Sequence, residues 1–589
     1  MRAATRQKIS KYVFPVLLAL YPLWKIGFGI DLTDSCYGLV NFRFFPHAGQ
    51  EWTVATWLAN VLGAFLLRLP FGDTLIGIRF YTCLLVSAMA LLSYYFLKGK
   101  MPAWIAFLGE FVAVSLCWIP TTSLYNYLTF ALFLAGSVFL YRGLVWHRRS
   151  HMILAGVCLG ANVLTRVPNV LECLLIAAVF YYDRLERRTA GETWRDVGAC
   201  AAGFFGAFFS GLGVICLQFG KDAYGKMLAG LSGYSATDAT YSPFSMVSSV
   251  LGSYVVSFKW VFLLAAAAAM GCVLFLLWPG KLEKAKCAVY LCMLPVLLRL
   301  LWGRGMFDFQ YAFYWCVFEW FMVFLYAAVG LCVRALFDHT LFRRDKLLAL
   351  FVLLILFVTP IGSNNETYPV MNNLFLAAPV TFWLGYRWYL KMRGRKNLFP
   401  VRAMLVAAGA FFLVQSAGFG IRSSFRDSIE GQPRDSRVTG NAKLAGVWTN
   451  RENAAALQDV VDFMEGNGLT GAYGWQPILT FGDVPGFGWL FDMPSALSHD
   501  WPDMDTYPAA KMREDLEALA YRDTALPVVI TDRFGVDFEN GQEAKKWELL
   551  EAFLQQWDYT LQMDNGTYQI YTVKTAREQP AAEDAQGGA

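Results

Sequence analysis

The stretch "TLIGIRFYTCLLVSAMALLSYYFL" covers residues 74–97, and the basic residues Lys98 and Lys100 follow it directly. Arg79 is its single charged side chain. An α-helix rises ~1.5 Å per residue, so about twenty apolar residues cross the hydrocarbon core of a bilayer. The stretch therefore predicts a transmembrane helix that ends at a basic loop.

Similar apolar runs recur along the first 420 residues of this 589-residue chain, which is 56% hydrophobic and only 16% charged. This composition is typical of an integral membrane protein and excludes a large soluble core. No signal-peptide cleavage pattern precedes the first run, so we expect that run to be a retained helix. We predict a multi-pass α-helical membrane protein with about thirteen transmembrane helices, near 12–30, 74–97, 103–119, 124–142, 151–165, 169–182, 197–217, 260–278, 286–302, 313–337, 347–361, 372–390 and 403–420.

The distribution of Lys and Arg predicts the orientation of these helices, because cytoplasmic loops carry an excess of basic residues. With a cytoplasmic N-terminus, alternate loops hold 26 basic residues, including Lys100, Arg142 and Arg344. Thirteen crossings then place the chain after Phe419 on the opposite, extracytoplasmic side. Two long segments, about 31–73 and 218–259, fall on that side as well. We expect a helix along the membrane interface within 52–70 and irregular backbone with short helices in 218–259.

The chain from Ile421 onward has a different character, with 27 Asp or Glu against 14 Lys or Arg. Helical patterns at 452–467, 508–521 and 541–556 alternate with strand-like runs at 471–475, 526–531, 558–563 and 568–573. This alternation predicts a small extracytoplasmic α/β domain over 421–575, following a transmembrane region over 1–420. Residues 576–589 lack apolar content, so we expect them to be disordered.

Composition also limits the classes of ligand and partner. The basic residues are scattered over many loops and form no single patch, so we expect no nucleic-acid binding. All twelve cysteines precede residue 420, which leaves the C-terminal domain without a disulfide framework. No pair of cysteines has the CxxC spacing of a zinc or redox site.

Two carboxylates, Asp31 and Asp34, follow the first predicted helix in "GFGIDLTDSCYGLVNFRFF" (27–45). At the outer rim of the membrane they could cap or decorate a helix end. Alternatively, one of them could act as a general base that faces a cavity at the membrane edge.

Two polar loops on the same predicted side could bind an anion. In "GANVLTRVPNVLECLL" (160–175), Pro168 breaks the helix and Arg166 presents a permanently charged fork suited to phosphate. The alternative is an arginine that reaches the interface or pairs with Glu172. The second loop, "TPIGSNNETYPVMNN" (359–373), offers amide and backbone donors, although such residues also form ordinary turns.

Two further basic residues could take part in anion binding. Lys221 and Arg304 lie on the predicted outer side and could contribute to a collar of cations around a lipid phosphate.

In the C-terminal domain, the stretch 473–507 mixes aromatic residues with Asp, His and Gly. It could contact carbohydrate, or it could dock the domain on the membrane loops.

This layout resembles the GT-C superfamily of polyprenyl-phosphate-sugar-dependent glycosyltransferases. The shared features are an inward N-terminus, an acidic motif after the first span, two long external loops and an extracytoplasmic terminal domain. It is most similar to the bacterial relatives of the protein mannosyltransferases and the lipid A aminoarabinose transferases. Members typically place Asp-Glu and then an aromatic residue after the first helix, and "DSCY" (34–37) corresponds to this motif with Ser35 in place of Glu.

The resemblance implies an inverting transfer of a sugar from a polyprenyl-phosphate donor to a hydroxyl group of a glycan, lipid or protein, at the plasma membrane of a bacterium. It implies Asp34 as the catalytic base, with Asp31 as second choice. Because Ser35 replaces the expected Glu, we expect no obligatory divalent metal, and metal use is the alternative. The expected donor and phosphate ligands are Arg166, Asn169, Lys221, Arg304, Gly362, Ser363, Asn364 and Asn365.

Two other functions fit the same sequence features. A glycan polymerase or ligase would use a polyprenyl diphosphate. A lipid or glycan transporter would show paired halves around a midplane site, and the sequence contains no such pairing that we can identify.

Overall fold

A computed structural model of the chain describes residues 3–47, 50–117, 122, 124–237, 242–277, 282–363, 365–427, 432–474, 476–519, 525–532 and 534–573. Within these ranges the chain forms two compact units. The first unit contains 1–31, 51–437 and 444–451, and the second contains 32–50, 438–443 and 452–589.

Helices dominate the secondary structure. The α-helices are α1 (Ala3–Lys8), α2 (Phe14–Leu20), α3 (Asp34–Phe44), α4 (Gln50–Ala55), α5 (Trp57–Leu67), α6 (Leu75–Leu97), α7 (Ala103–Leu116), α8 (Tyr125–Trp146), α9 (Arg149–Val163), α10 (Ala177–Glu186), α11 (Ala190–Phe219), α12 (Ala223–Thr237), α13 (Pro243–Leu277), α14 (Glu283–Gly303), α15 (Trp315–Phe337), α16 (Arg343–Val358), α17 (Tyr368–Met371), α18 (Ala377–Met392), α19 (Phe399–Arg422), α20 (Arg451–Gly466), α21 (Phe487–Leu490), α22 (Ala509–Leu519) and α23 (Gly541–Gln556). A π-helical turn covers Ile9–Val13, and 3₁₀ segments cover Tyr21–Lys25, Val167–Ile176, Lys396–Leu398 and Ala442–Leu444.

Seven of the described helices are long and apolar enough to cross a membrane. They are α6, α8, α11, α13, α14, α15 and α19, the last together with the 3₁₀ segment before it. Each coincides with one of the thirteen predicted spans. The other six predicted spans are helical but shorter or interrupted, and their crossing of the membrane stays a prediction.

The structure corrects several predicted boundaries. The first helical run ends at Lys25 and not near residue 30. The segment 218–259, predicted as irregular backbone with short helices, contains the short helix α12 and also the first half of the 35-residue α13. Helix α13 can extend this far because Pro243 stands at its first position, where the missing N–H costs no intrahelical hydrogen bond.

Small residues allow close helix packing in the first unit. A Cβ atom added at Gly203 of α11 would lie 2.1 Å from the Ile153 carbonyl oxygen of α9, and one at Gly156 of α9 would lie 1.9 Å from the Cys200 carbonyl oxygen of α11. Side chains at these positions would force the two backbones apart, so glycine is required for the observed contact.

Ion pairs link several loops that the sequence analysis assigned to the cytoplasm. Arg343 pairs with Glu186 at 2.8 Å, and Lys391 pairs with Asp338 at 2.6 Å. Lys396 pairs with Glu283. These loops therefore lie together at one end of the first unit, and their location on the cytoplasmic side stays a prediction.

The second unit contains a four-stranded sheet with the strand order β1-β2-β4-β3. Its strands are β1 (Ile478–Phe481), β2 (Val528–Asp532), β3 (Tyr559–Asp564) and β4 (Tyr568–Val573). Strands β1 and β2 are parallel, and the hairpin of β3 and β4 adds antiparallel strands beside β2. Helices α20, α22 and α23 coincide closely with the three predicted helices. The core of this unit includes Leu479, Phe481, Val529 and Leu550.

Two features of the second unit differ from the prediction. The predicted strand at 471–475 is absent from its described residues 471–474, and the first strand begins at Ile478 instead. Residues 32–50, predicted as part of the membrane region, cluster with the C-terminal domain, because α3 packs on α21. The predicted disordered tail, 576–589, lies outside the described residues.

Candidate functional site

The break at Pro168 lies beside a cluster of buried polar side chains in the first unit. Helix α9 ends at Val163, Arg166 has an extended backbone with φ −163° and ψ 128°, and a 3₁₀ segment begins at Val167. In a continuous α-helix Pro168 would have no N–H to donate to the Leu164 carbonyl oxygen and its ring would clash with that carbonyl, which explains why α9 does not run through this point. The break exposes backbone groups and brings Asn162, Asn169 and Glu172 close together.

These three residues form a buried hydrogen-bond network with α8. The Asn162 amide donates to Glu172 Oε2 at 2.7 Å and to the Thr129 carbonyl oxygen at 3.0 Å. The Asn169 amide donates to Thr129 Oγ1 at 2.9 Å and to the Asn162 carbonyl oxygen at 3.0 Å. A satisfied network of this kind fixes the positions of its members.

Arg166 joins the two loops that the sequence singled out separately. Its guanidinium donates to the Gly362 carbonyl oxygen, 196 positions further along the chain, and stacks on the Tyr125 ring at 5.6 Å. Gly362 has φ +100°, and a Cβ atom there would lie 2.4 Å from Pro168 Cβ. Only glycine allows both this backbone conformation and the close approach of the loops.

The alternative pairing of Arg166 with Glu172 is not observed among the described residues, where Glu172 accepts a hydrogen bond from Asn162. A guanidinium has five N–H donors, and a single one is engaged by the Gly362 carbonyl oxygen in the described part of the chain. Arg166 is half-buried, so its remaining donors face a region that is only partly open to solvent.

A cavity of about 20 Å³, room for about one water molecule, lies directly beside this contact. Its polar lining residues are Asn126, Thr129, Arg166, Asn169, Glu172, Thr359 and Asn373, and Phe130, Phe133, Val358 and Ile361 contribute apolar surface. The Asn373 amide donates to Thr359 Oγ1 at 3.1 Å, which fixes the wall formed by the second loop. The Asn169 and Asn373 amides already donate within the protein, and Glu172 adds a carboxyl group to the wall. The Arg166 guanidinium is therefore the cationic donor here that suits an anionic ligand.

Four of the other predicted phosphate ligands do not line this cavity: Lys221, Arg304, Ser363 and Asn365. Lys221 and Arg304 are both exposed, and neither lines this cavity. Ser363 is half-buried and accepts a hydrogen bond from the Asn365 backbone N–H at 3.4 Å, while Asn365 itself is exposed. Asn364 lies outside the described residues.

Asp31 belongs to the first unit and is only 2% exposed. The chain just before it is fixed by backbone pairing, since the Gly29 N–H donates to the Trp448 carbonyl oxygen and the Trp448 N–H donates to the Gly27 carbonyl oxygen, each at 2.7 Å. Arg79, buried in α6, donates to the carbonyl oxygens of Ile26 and Phe28, each at 3.2 Å. The segment that carries Asp31 is therefore held from both sides.

Asp34 belongs to the second unit, where it is half-buried as the first residue of α3. A carboxylate at this position interacts favourably with the helix dipole, as expected for an acid that caps a helix end. Its role as a catalytic base stays a prediction. Asp31 precedes the helix, so the two acids do not share a helical face.

Aromatic and charged contacts fix α3 within its unit. The Tyr37 ring stacks on His499, with centroids 5.8 Å apart, and Arg43 pairs with Asp492 at 2.7 Å. Burial lowers the pKa of His499 to about 3 and so keeps its imidazole neutral. Trp501 also contacts Tyr37, at 5.7 Å. The aromatic stretch 473–507 thus supplies a support for α3.

Sequence reasoning missed Arg79, Asn162 and Thr129. Arg79 was visible as the single charge within a predicted span, which is a signal that such a residue faces a partner and not lipid. Asn162 is a polar residue in an apolar run, four positions before Arg166, and this could have indicated that it faces a partner inside the protein. Thr129 carried no comparable signal.

No family model and no curated protein matches the chain. Among solved structures, it is similar to ArnT from Cupriavidus metallidurans bound to undecaprenyl phosphate, with a TM-score of 0.47 and 10% identity over 97% of this chain and 98% of ArnT. It is also similar to the archaeal oligosaccharyltransferase AglB from Archaeoglobus fulgidus in complex with an inhibitory peptide and a dolichol-phosphate. There the TM-score is 0.44 and the identity 10%, over 98% of this chain and 75% of AglB.

At this identity and TM-score, the likeness assigns neither an activity nor a substrate to the chain. Its function has to be inferred from its own residues.

Proposed function

We propose that the chain is a membrane glycosyltransferase of the GT-C type, which moves a sugar from a polyprenyl-phosphate donor to a hydroxyl group outside the cytoplasm. The observation that carries this proposal is the contact of Arg166 with Gly362 beside a polar cavity. Two loops with the donor chemistry of a phosphate site meet there, and both lie at the predicted outer ends of membrane helices.

Arg166 is the proposed ligand of the donor phosphate. Its planar fork can hold two phosphate oxygens at once, and its charge does not depend on pH in the physiological range. Asn169, together with Gly362 and the residues that follow it, would orient the donor around this cation. Lys221 and Arg304 remain in the proposal as cations that attract the anionic headgroup from a distance.

Asp34 is the proposed catalytic base. Its carboxylate takes the proton of the acceptor hydroxyl as that oxygen forms a bond to the anomeric carbon of the sugar. The bond between the anomeric carbon and the phosphate oxygen breaks, and the lipid phosphate leaves with the electron pair. A positioned base contributes typically ~10²–10⁴-fold to such a rate, and a fixed cation stabilises the charge that develops on the leaving phosphate.

The cellular setting of the proposal is the plasma membrane of a bacterium, with the second unit on the outer side. The acceptor would be a glycan, lipid or protein of the cell envelope. A polymerase or ligase would differ in its donor, which would be a diphosphate, and a transporter would release its lipid unchanged.

Two variants separate binding from chemistry. The purified full chain is incubated with undecaprenyl phosphate, and retained lipid is measured by native mass spectrometry. Arg166→Gln should reduce retention at least tenfold, whereas Asp34→Asn should retain the lipid as the wild type does. Arg148→Gln, which changes an exposed arginine at the opposite ends of the helices, is the matched control.

Transfer is measured separately, as release of undecaprenyl phosphate from undecaprenyl-phosphate-linked hexose or aminopentose in membranes that contain the native acceptors. Asp34→Asn should lose at least 99% of this release, and Asp222→Asn, an exposed carboxylate, should lose none. Normal transfer by Asp34→Asn at wild-type expression would remove Asp34 from the mechanism. Preferential retention of undecaprenyl diphosphate by the wild type would favour the polymerase.

A further inference from the structure

A second cavity lies in the first unit, among α7, α15, α18 and α19. Its volume is about 450 Å³, within the range of small-molecule sites, and its walls are almost entirely apolar. Trp320, Phe324 and Leu331 line it along α15, and Gly409 lines it on α19. From Trp320 to Leu331 is eleven residues, so the cavity extends about 16 Å along the helix axis.

The cavity opens to the outside of the helix bundle. Trp104 and Val406 both line it, and their side chains are 47% and 57% exposed. Small residues on the facing helices leave the space empty, since a Cβ atom at Gly409 would meet no atom within 4 Å. Helices α15 and α19 both have the length and apolarity of membrane spans. The opening therefore faces the hydrocarbon layer if these helices cross the bilayer as predicted.

One end of the cavity adjoins a basic surface. Leu331 lines both the cavity and a neighbouring depression that also contains Arg334, Arg387, Lys391 and Asp338. Arg387 is paired at 3.4 Å with Asp345, which does not line the depression, so the excess of positive charge there rests on Arg334. Lys391 is paired with Asp338, whereas Arg334 has no acidic partner among the described residues and stacks on the Trp388 ring at 5.2 Å.

A second cation stands near the same opening. Arg402 stacks on the ring of Tyr389, which lines the cavity, at 5.9 Å. It too has no acidic partner in the described part of the chain. The loops at this end are the ones joined by the ion pairs of Lys391 and Lys396, and the sequence assigns them to the cytoplasmic side.

From this arrangement we propose a binding site for one anionic diacyl phospholipid of the cytoplasmic leaflet. An acyl chain would fill the cavity among Trp320, Phe324 and Gly409, and the headgroup phosphate would bind Arg334 and Arg402. Basic pockets between transmembrane helices on this side of a membrane are suited to anionic headgroups. The site is separate from the polar cavity at Arg166, which lies at the opposite ends of the helices.

The test uses the full chain in nanodiscs or mild detergent and needs no enzymatic assay. Retained palmitoyl-oleoyl phosphatidylglycerol and the matching phosphatidylcholine are measured by native mass spectrometry. The wild type should retain one phosphatidylglycerol at least tenfold more strongly than phosphatidylcholine. Gly409→Leu places a leucine side chain in the space proposed for the acyl chain and should abolish this retention. Arg334→Gln should lower the preference for phosphatidylglycerol to about twofold.

Two controls keep the result interpretable. Gly330→Leu adds the same side chain to a helical glycine of α15 that also has no atom within 4 Å of an added Cβ, but it does not line the cavity. Each variant must also elute as the wild type does in gel filtration, and leucine improves helix propensity over glycine at both sites. Equal loss with Gly330→Leu, or equal retention of both lipids by the wild type, would refute the site. Displacement of phosphatidylglycerol by an equimolar amount of undecaprenyl phosphate would also refute it and assign the cavity to the carrier lipid.

Discussion

The carboxyl group of Asp500 offers a quantitative test of the second unit. Asp500 is 7% exposed, and no described residue donates a hydrogen bond to its carboxylate. Burial raises its pKa from 3.8 to about 7. Since the residue lies between His499 and Trp501, which both contact Tyr37 of α3, its protonation bears on the segment that supports the proposed base.

Whether ionisation of Asp500 raises or lowers the stability of the folded state follows from its pKa values in the folded and unfolded chain. Below about pH 4 the carboxyl group is neutral in both the folded and the unfolded chain, so it contributes no pH-dependent term. As pH rises from about 4 to 7, the unfolded chain loses this proton first, and the folded state becomes less stable. A difference of about three pKa units corresponds to ~4 kcal/mol above pH 7. Asp500→Asn cannot ionise, so it should escape this loss.

We therefore expect Asp500→Asn to match the wild type at pH 4 and to be more stable by up to ~4 kcal/mol at pH 8. The measurement is amide hydrogen exchange of β1 and β2 in the full chain, with variant and wild type compared at the same pH so that intrinsic exchange rates cancel. Protection at pH 8 should rise by up to about a thousandfold.

Asp505→Asn is the control, because Asp505 is exposed and lies five residues away. It should change protection at neither pH. The reasoning would be refuted if Asp500→Asn had the same effect at pH 4 and pH 8, since the folded unit would then bind no extra proton at this position.

Three further predictions concern packing and the candidate site. Gly362→Ala imposes a backbone strain of ~1–2 kcal/mol and places a methyl group against Pro168, so retention of undecaprenyl phosphate should fall as far as it does for Arg166→Gln; unchanged retention would contradict the role of this contact. Gly203→Ala should lower stability by ~1–3 kcal/mol in thermal unfolding of the full chain, whereas Gly198→Ala, on the same helix with no atom near the added Cβ, should be neutral or stabilising. Asp492→Asn removes two ion pairs that are partly exposed, so exchange protection of α3 should fall by no more than ~1 kcal/mol; a larger loss would mean that these pairs hold the helix.

Local patterns in the sequence determined the helices and most of the strands. Apolar runs of sufficient length predicted seven spans that the structure describes as long apolar helices. Ion pairs join several of the basic loops of the first unit. Pro168 predicted a break, because a proline inside an α-helix lacks the N–H donor and its ring clashes with the carbonyl group four residues earlier. These features depend on neighbouring residues, so they can be inferred without knowledge of the tertiary structure.

Contacts between distant segments were decided only by the tertiary structure. The sequence marked Arg166 and Gly362 as separate candidates, but packing of α9 and the loop after α16 brings them into contact across 196 positions. Likewise, nothing local to residues 32–50 shows that α3 clusters with the C-terminal domain, where Tyr37 finds His499. Such pairings depend on shape and volume across the whole fold, and the same hydrophobic or polar pattern is compatible with many partners. The residue types suited to phosphate and base chemistry were therefore determined by the sequence, and their partners by the tertiary structure.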